Sequence, residues 1–216
     1  MNSLVLVALL SVSVAPEFVV GKSIPDVRVI DENGRSRSTS EWKGLPTIVA
    51  PLYTRCPIAC PLIVKGIQRG VAESAKSPTE YRVVILSFDP RDTPADLRRF
   101  RERNHIPLSW SLVIAPDGGA RTILDAIGYR YGDAGGVWAH PNAIVALTRD
   151  LKTAKWLFGT SYDGGAIDNA LAVAGGRRDW IARFGPILLA LLLLTALLSV
   201  IYLVTLVGQQ KRPRHA

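Results

Sequence analysis

Sulfur and imidazole are scarce in this chain: 216 residues hold two cysteines, one methionine and three histidines. Two cysteines exclude a small scaffold stapled by disulfides, and at this length no staple is needed, because about 150 residues already bury an adequate core. The stretch from 16 to 176 also lacks a dominant charge, with 20 Lys and Arg against 17 Asp and Glu. Without a strongly basic stripe there, nucleic-acid binding is set aside. No internal repeat or low-complexity tract is present, so one fold has to account for residues 22 to about 175.

What is abundant lies at the ends. Residues 177 to 216 carry six Lys and Arg against one Asp, more than half of the net charge of +8. They flank "ILLALLLLTALLSVIYLVTLV", Ile187 to Val207, which has no charged residue and predicts a transmembrane helix with basic anchors on both sides. Those anchors are equal in number, so the positive-inside rule gives no orientation. The N-terminal "SLVLVALLSVSVA", Ser3 to Ala15, resembles the hydrophobic part of a secretory signal, although no Lys or Arg precedes it and Pro16 follows it. The expected organisation is a signal peptide or apolar segment over 1–15, a folded domain over 16–176 and a basic juxtamembrane linker over 177–186. A membrane span over 187–207 and a basic cytoplasmic tail over 208–216 complete it. This places the domain on the extracytoplasmic, periplasmic face of the cytoplasmic membrane.

Within the domain, apolar runs alternate with helical patterns. "LPTIVAPLY" reads as a buried strand, and "PLIVKGIQRGVAESA" has apolar residues at helical spacing. "YRVVILSFDP" suits a central strand covered on both faces, and "DTPADLRRFRERN" a helix with Thr93 as cap and Pro94 in the first turn. "WSLVIAP" predicts a short strand and "GGARTILDAIGYRYG" a helix. A strand, turn and strand follow in "NAIVALTRDLKTAKWLFGT", then a last helix in "DGGAIDNALAVAG". A β-α-β-α unit followed by a hairpin and a helix is an α/β sandwich of the thioredoxin type.

Both cysteines fall in "YTRCPIACP", at the carboxyl end of a strand and the start of a helix. Free N–H groups at a helix start favour a thiolate, which is both a nucleophile and a soft metal ligand. Four residues apart, Cys56 and Cys60 share one face of a turn, where they can close a disulfide or grip a thiophilic ion. The usual redox motif has two intervening residues and this one has three. Candidates for a further ligand are few. His215 lies in the tail, His105 in a connection between helix and strand, and His140 in a glycine-rich loop that can bend back over the thiolates. Asp89 and Asp92 in "DPRDTP" are explained by turn formation and capping before ligation, and Tyr129, Tyr131 and Trp138 by core packing before shielding of a metal.

"YTRCPIACP", "LSFDPRDTP" and "WAHPNAIVALTRD", in this order, resemble the SCO/SenC family of membrane-anchored, thioredoxin-like copper proteins of cytochrome oxidase assembly. The resemblance spans about residues 22 to 175 and implies copper, as Cu(I) or Cu(II), bound by Cys56, Cys60 and His140. Ile58 departs from the family pattern, which has aspartate two residues after the first cysteine. The C-terminal anchor departs from the commoner N-terminal one. Two thiolates and an imidazole suit Cu(I), whereas zinc prefers a fourth ligand. The resemblance implies a metallochaperone delivering copper to the binuclear copper centre of a haem-copper oxidase, with the copper-acceptor subunit as partner. Two other readings stay open: a thiol-disulfide reductase using the redox pair Cys56 and Cys60, and a membrane-tethered binding module with a structural disulfide.

Overall fold

Six consecutive buried residues, Thr47–Leu52, form strand β3 in the computed structural model, which describes residues 20–133, 137–176 and 180–210, the last without side chains for 180–186 and 203–210. Such a strand is apolar along its whole length because layers cover both faces of the sheet. β4 (Arg82–Ser87) pairs parallel to it on one side and β8 (Ala143–Leu147) antiparallel on the other. Around this centre lie β1 (Arg28–Asp31), β2 (Ser36–Ser38), β5 (Ser111–Ile114) and β9 (Thr153–Phe158). The order across the seven-stranded sheet is β2-β1-β5-β4-β3-β8-β9. A separate ribbon joins β6 (Gly132–Asp133) to β7 (Trp138–Ala139).

The parallel pairs β3/β4 and β4/β5 require crossovers, supplied by α1 (Ala59–Ala72) and α2 (Pro94–Asn104). Helix α3 (Gly119–Ala126) follows β5, and α4 (Gly164–Ala174) follows the β8–β9 hairpin. This succession is the thioredoxin-like α/β arrangement that the alternation of patterns predicts. Thr93 caps α2 with Asp96 in a reciprocal capping box and Pro94 occupies its first turn. Gly34, at φ +79°, turns β1 into β2.

Two glycines of α1 draw it onto α4 and the segment that leads into it. A Cβ at Gly66 would lie 2.2 Å from the Thr160 carbonyl oxygen, and one at Gly70 2.7 Å from Ile167 Cγ1. Only the missing side chains allow that approach, which seats the helix carrying Cys60 on α4 and the segment before it.

The chain divides into two compact units after Gly176. The second contains α5 (Trp180–Gln210), and here one expectation is corrected. The apolar run is helical, but among the described residues no helix is long and apolar enough to cross a membrane. The transmembrane part of the expected fold class, and the membrane partnership that rested on it, are withdrawn. The apolar segment over 1–15, His215 and the tail from 211 onward lie outside the described residues.

Candidate metal centre

Where β3 ends, Tyr53 to Ile58 carry the chain into α1. The N–H of Cys56 donates to the Tyr53 carbonyl, and the N–H of Leu62 to that of Ile58. Ile58 stands at the N-cap of α1 and has no side-chain acceptor to offer. The Cys56 sulfur takes that role, accepting from the N–H of Cys60 at 3.3 Å. With isoleucine there, the N–H of Cys60 is left to the Cys56 sulfur. Ile58 itself is 69 % exposed.

The turn is held from below. Asp92 accepts from the Thr54 N–H at 2.8 Å, the Thr54 hydroxyl at 2.7 Å and the Ser87 hydroxyl at 2.6 Å. Asp89 accepts from the Arg91 N–H and guanidinium and from Arg55, which also donates to the Arg91 carbonyl. Burial works against ionisation of Asp89, yet the Arg91 hydrogen bonds hold its carboxyl below the usual range. Both carboxylates are buried, and their part is to tie the cysteine turn to the junction of β4 and α2.

The two thiols occupy different environments. Cys60 is fully buried in the first turn of α1, whereas Cys56 is 9 % exposed. Both are free. The pKa of Cys56 is lowered to about 5 chiefly by the hydrogen bond from the Cys60 thiol. Burial opposes the shift, and the Cys60 and Ile58 N–H groups and the Tyr53 hydroxyl reinforce it. The same hydrogen bond and burial push the Cys60 thiol far up, so that one proton resides on the inner sulfur.

His140 enters from the segment between β7 and β8. Its ring lies edge-on to Tyr53 and Phe88, with centroids 5.8 and 5.4 Å away, and near-parallel to Tyr129 at 6.3 Å. Nδ1 is 2.9 Å from the Tyr129 hydroxyl. One ligand atom each of Cys56, Cys60 and His140 lie within 4.8 Å of one another, the grouping among the described residues able to hold a metal ion. Asp89 and Asp92 are outside it. His105 stays apart, exposed at the C-cap of α2 with φ +49°, its carbonyl accepting from Gln68.

A hollow of about 420 Å³ opens over the centre, lined by Tyr53, Cys56, Pro57, Ile58, Val137 and His140. Cys60, fully buried, does not line it. Tyr129 belongs to the core, and Tyr131 and Trp138 pack on Phe88, as their apolar bodies predict. Tyr53 and Phe88 are the residues that sequence reasoning left out. Their adjacency to the cysteines and to Asp89 in two of the quoted motifs was the available signal.

Comparison with known proteins agrees with this geometry. The SCO1/SenC family model matches residues 22–109, which contain both cysteines but not His140. A protein of Stutzerimonas stutzeri described as "Putative copper-binding protein" is 30% identical over 81 residues, 37% of this chain and 40% of that one. A "SCO2-like protein" of Rickettsia felis gives the same figures, so the match spans 40% of the length of either curated relative. Over the fold, a crystal structure titled "putative electron transfer protein from Aquifex aeolicus VF5" is 32% identical with a TM-score of 0.69, covering 73% of this chain and 95% of that one. The copper-bound ScoI of Arabidopsis thaliana shares the fold at 15% identity and a TM-score of 0.61, over 71% of this chain and 98% of its own. With the cysteine turn inside the family match and the fold shared over almost the whole of a relative, the chain belongs to the SCO1/SenC family.

Proposed function

We propose that this protein binds copper through Cys56, Cys60 and His140 and delivers it to the binuclear copper centre of a haem-copper cytochrome oxidase, on the extracytoplasmic side. The observation that carries the reading is the convergence of two sulfurs and one imidazole nitrogen within 4.8 Å. Soft thiolates with one borderline nitrogen select Cu(I) and also accommodate Cu(II), while hard oxygen-seeking ions find no first-choice donor here. The copper-binding description of the Stutzerimonas stutzeri relative supports the choice of metal.

The asymmetry of the thiols suits a carrier. Cys56 and His140 line the hollow, so an acceptor thiolate can approach copper from outside while the buried Cys60 holds it from within. Copper then moves by stepwise ligand exchange. The loss of Cys60's proton is the cost of loading, which makes uptake release a proton and depend on pH.

A second reading rests on the same asymmetry. The Cys56 thiolate can attack a disulfide of the acceptor subunit, forming a mixed disulfide and expelling one acceptor thiolate. Cys60, giving up its proton, then attacks the Cys56 sulfur, releases the second acceptor thiol and leaves the Cys56–Cys60 disulfide. Two electrons pass to the acceptor.

Copper quantification on the purified, reduced protein separates these readings. One equivalent per chain is expected, falling to background after oxidation of the pair and returning with reductant. Stoichiometry near zero at saturating free copper removes the carrier reading and leaves the reductase.

A further inference from the structure

Tyr129 sits just beyond α3, fully buried, with its ring near-parallel to those of His140 and Trp156, centroids 6.3 and 6.5 Å away. Its hydroxyl lies 2.8 Å from the Pro141 carbonyl oxygen and 2.9 Å from His140 Nδ1, and Nδ1 is itself 3.1 Å from that same carbonyl. The proton positions follow from what each group can do. A carbonyl oxygen only accepts, so the phenol proton goes to Pro141 and the phenol oxygen is left to accept. Nδ1 then faces two acceptors, the Tyr129 oxygen and the Pro141 carbonyl. A neutral imidazole carries one N–H, and here its place is Nδ1, which leaves the lone pair on Nε2.

We propose that Tyr129 is the positioning residue of the metal centre: it sets the tautomer and ring orientation of His140, so that the reduced, metal-free protein already presents Nε2 unprotonated to an incoming metal. Histidine ligands commonly donate their second N–H to such a partner, and losing it typically weakens metal binding by about 10- to 100-fold. Here the partner is unusual in also clamping the next peptide group. By holding the Pro141 carbonyl, Tyr129 restrains the backbone on which the ring is mounted.

The proposal rests on His140 being a ligand, and the experiment separates the two claims. Long-range ¹⁵N–¹H spectra of the reduced, metal-free protein, at a pH where the ring is neutral, distinguish the two ring nitrogens. Protonation at Nδ1 is expected in the wild type, and protonation at Nε2 overturns the assignment with no variant needed. Tyr129→Phe removes one oxygen from the core. It is expected to mix the tautomers and weaken Cu(I) binding about tenfold in a chelator competition, with the potential of the Cys56/Cys60 couple unchanged. Retention of a single Nδ1–H tautomer in Tyr129→Phe would show that the Pro141 carbonyl suffices and end the proposal. If the tautomer result holds but His140→Ala binds copper like the parent, it is the ligand reading that fails.

Discussion

The two arms of the metal centre are built in opposite ways. The cysteine arm is local: Cys56 and Cys60 lie on one turn, and the sulfur of the first accepts the N–H of the second. Polar contacts hold it, with Asp92 gripping Thr54 through both its N–H and its hydroxyl. The histidine arm comes from 80 residues further along the chain, on the connection between β7 and β8, and is held by the rings of Tyr53, Phe88 and Tyr129. The difference teaches that one site can join two kinds of order: the cysteine turn is set by hydrogen bonds between residues close in the chain, whereas the imidazole is set by ring packing and the Tyr129 hydroxyl, brought together from distant segments.

Removing a ligand from the local arm should have the largest effect. Cys56→Ser replaces a soft thiolate by a neutral hydroxyl, and copper binding is expected to fall to background in a Cu(I) competition titration, together with loss of disulfide formation. Retained binding would shift the centre away from this turn.

Within the local arm, the sulfurs should differ by reactivity. Alkylation of Cys56 by a small iodoacetamide should have its pH midpoint near 5 and slow about fiftyfold over the two pH units below it, while Cys60 stays unmodified at neutral pH. The sign for stability follows. With a folded value of about 5 against an ordinary 9.0, the contribution of Cys56 is complete above pH 9, declines as pH falls, and is gone below 5. Cys60, shifted the other way, costs stability as pH rises beyond the ordinary thiol value. Mass mapping across pH reads both residues at once, and equal labelling of the two would erase the distinction.

The distant arm should matter less. His140→Ala is expected to weaken copper binding tenfold or more, about 1.4 kcal/mol, with little change in the potential of the cysteine couple. His105→Ala, exposed at the end of α2, should bind like the parent. A loss in His105→Ala instead would overturn the ligand assignment.

The smallest effect expected is that of Ile58→Asp, which restores the family's usual residue at the N-cap of α1. The carboxylate should cap the helix, stabilising the fold by about 1 kcal/mol in urea denaturation. It would also compete with the Cys56 sulfur for the same N–H groups and repel its charge, moving the alkylation midpoint upward. An unchanged or lower midpoint would mean that the isoleucine has no part in the thiolate's acidity.

Much of the fold was legible in the amino-acid order. Long apolar runs such as Thr47–Leu52 can only be covered strands, and Thr93 with Pro94 marks a helix start by chemistry that is local to five residues. The apolar run of α5 shows where such reading stops. Composition predicted a span across a bilayer, yet no described helix meets the length and apolarity a span requires. Asp89 and Asp92 read as turn and cap residues ahead of ligation. Their fuller role, anchoring Thr54 and Arg55 from 34 to 38 residues away, exists only once β4 lies beside β3.

By itself, the sequence determined the cysteine pair, its place between strand and helix, and the alternation that yields the sheet, because each depends on neighbours within one or two turns of chain. The resemblance carried by "WAHPNAIVALTRD" already singled out His140; tertiary structure brought it to within 4.8 Å of the sulfurs and decided which sulfur keeps the proton and which side chains hold the imidazole. Those outcomes depend on distances between segments far apart in the chain. Burial and hydrogen-bond geometry set them, and neither exists before β3, α1 and the β7–β8 connection are packed together.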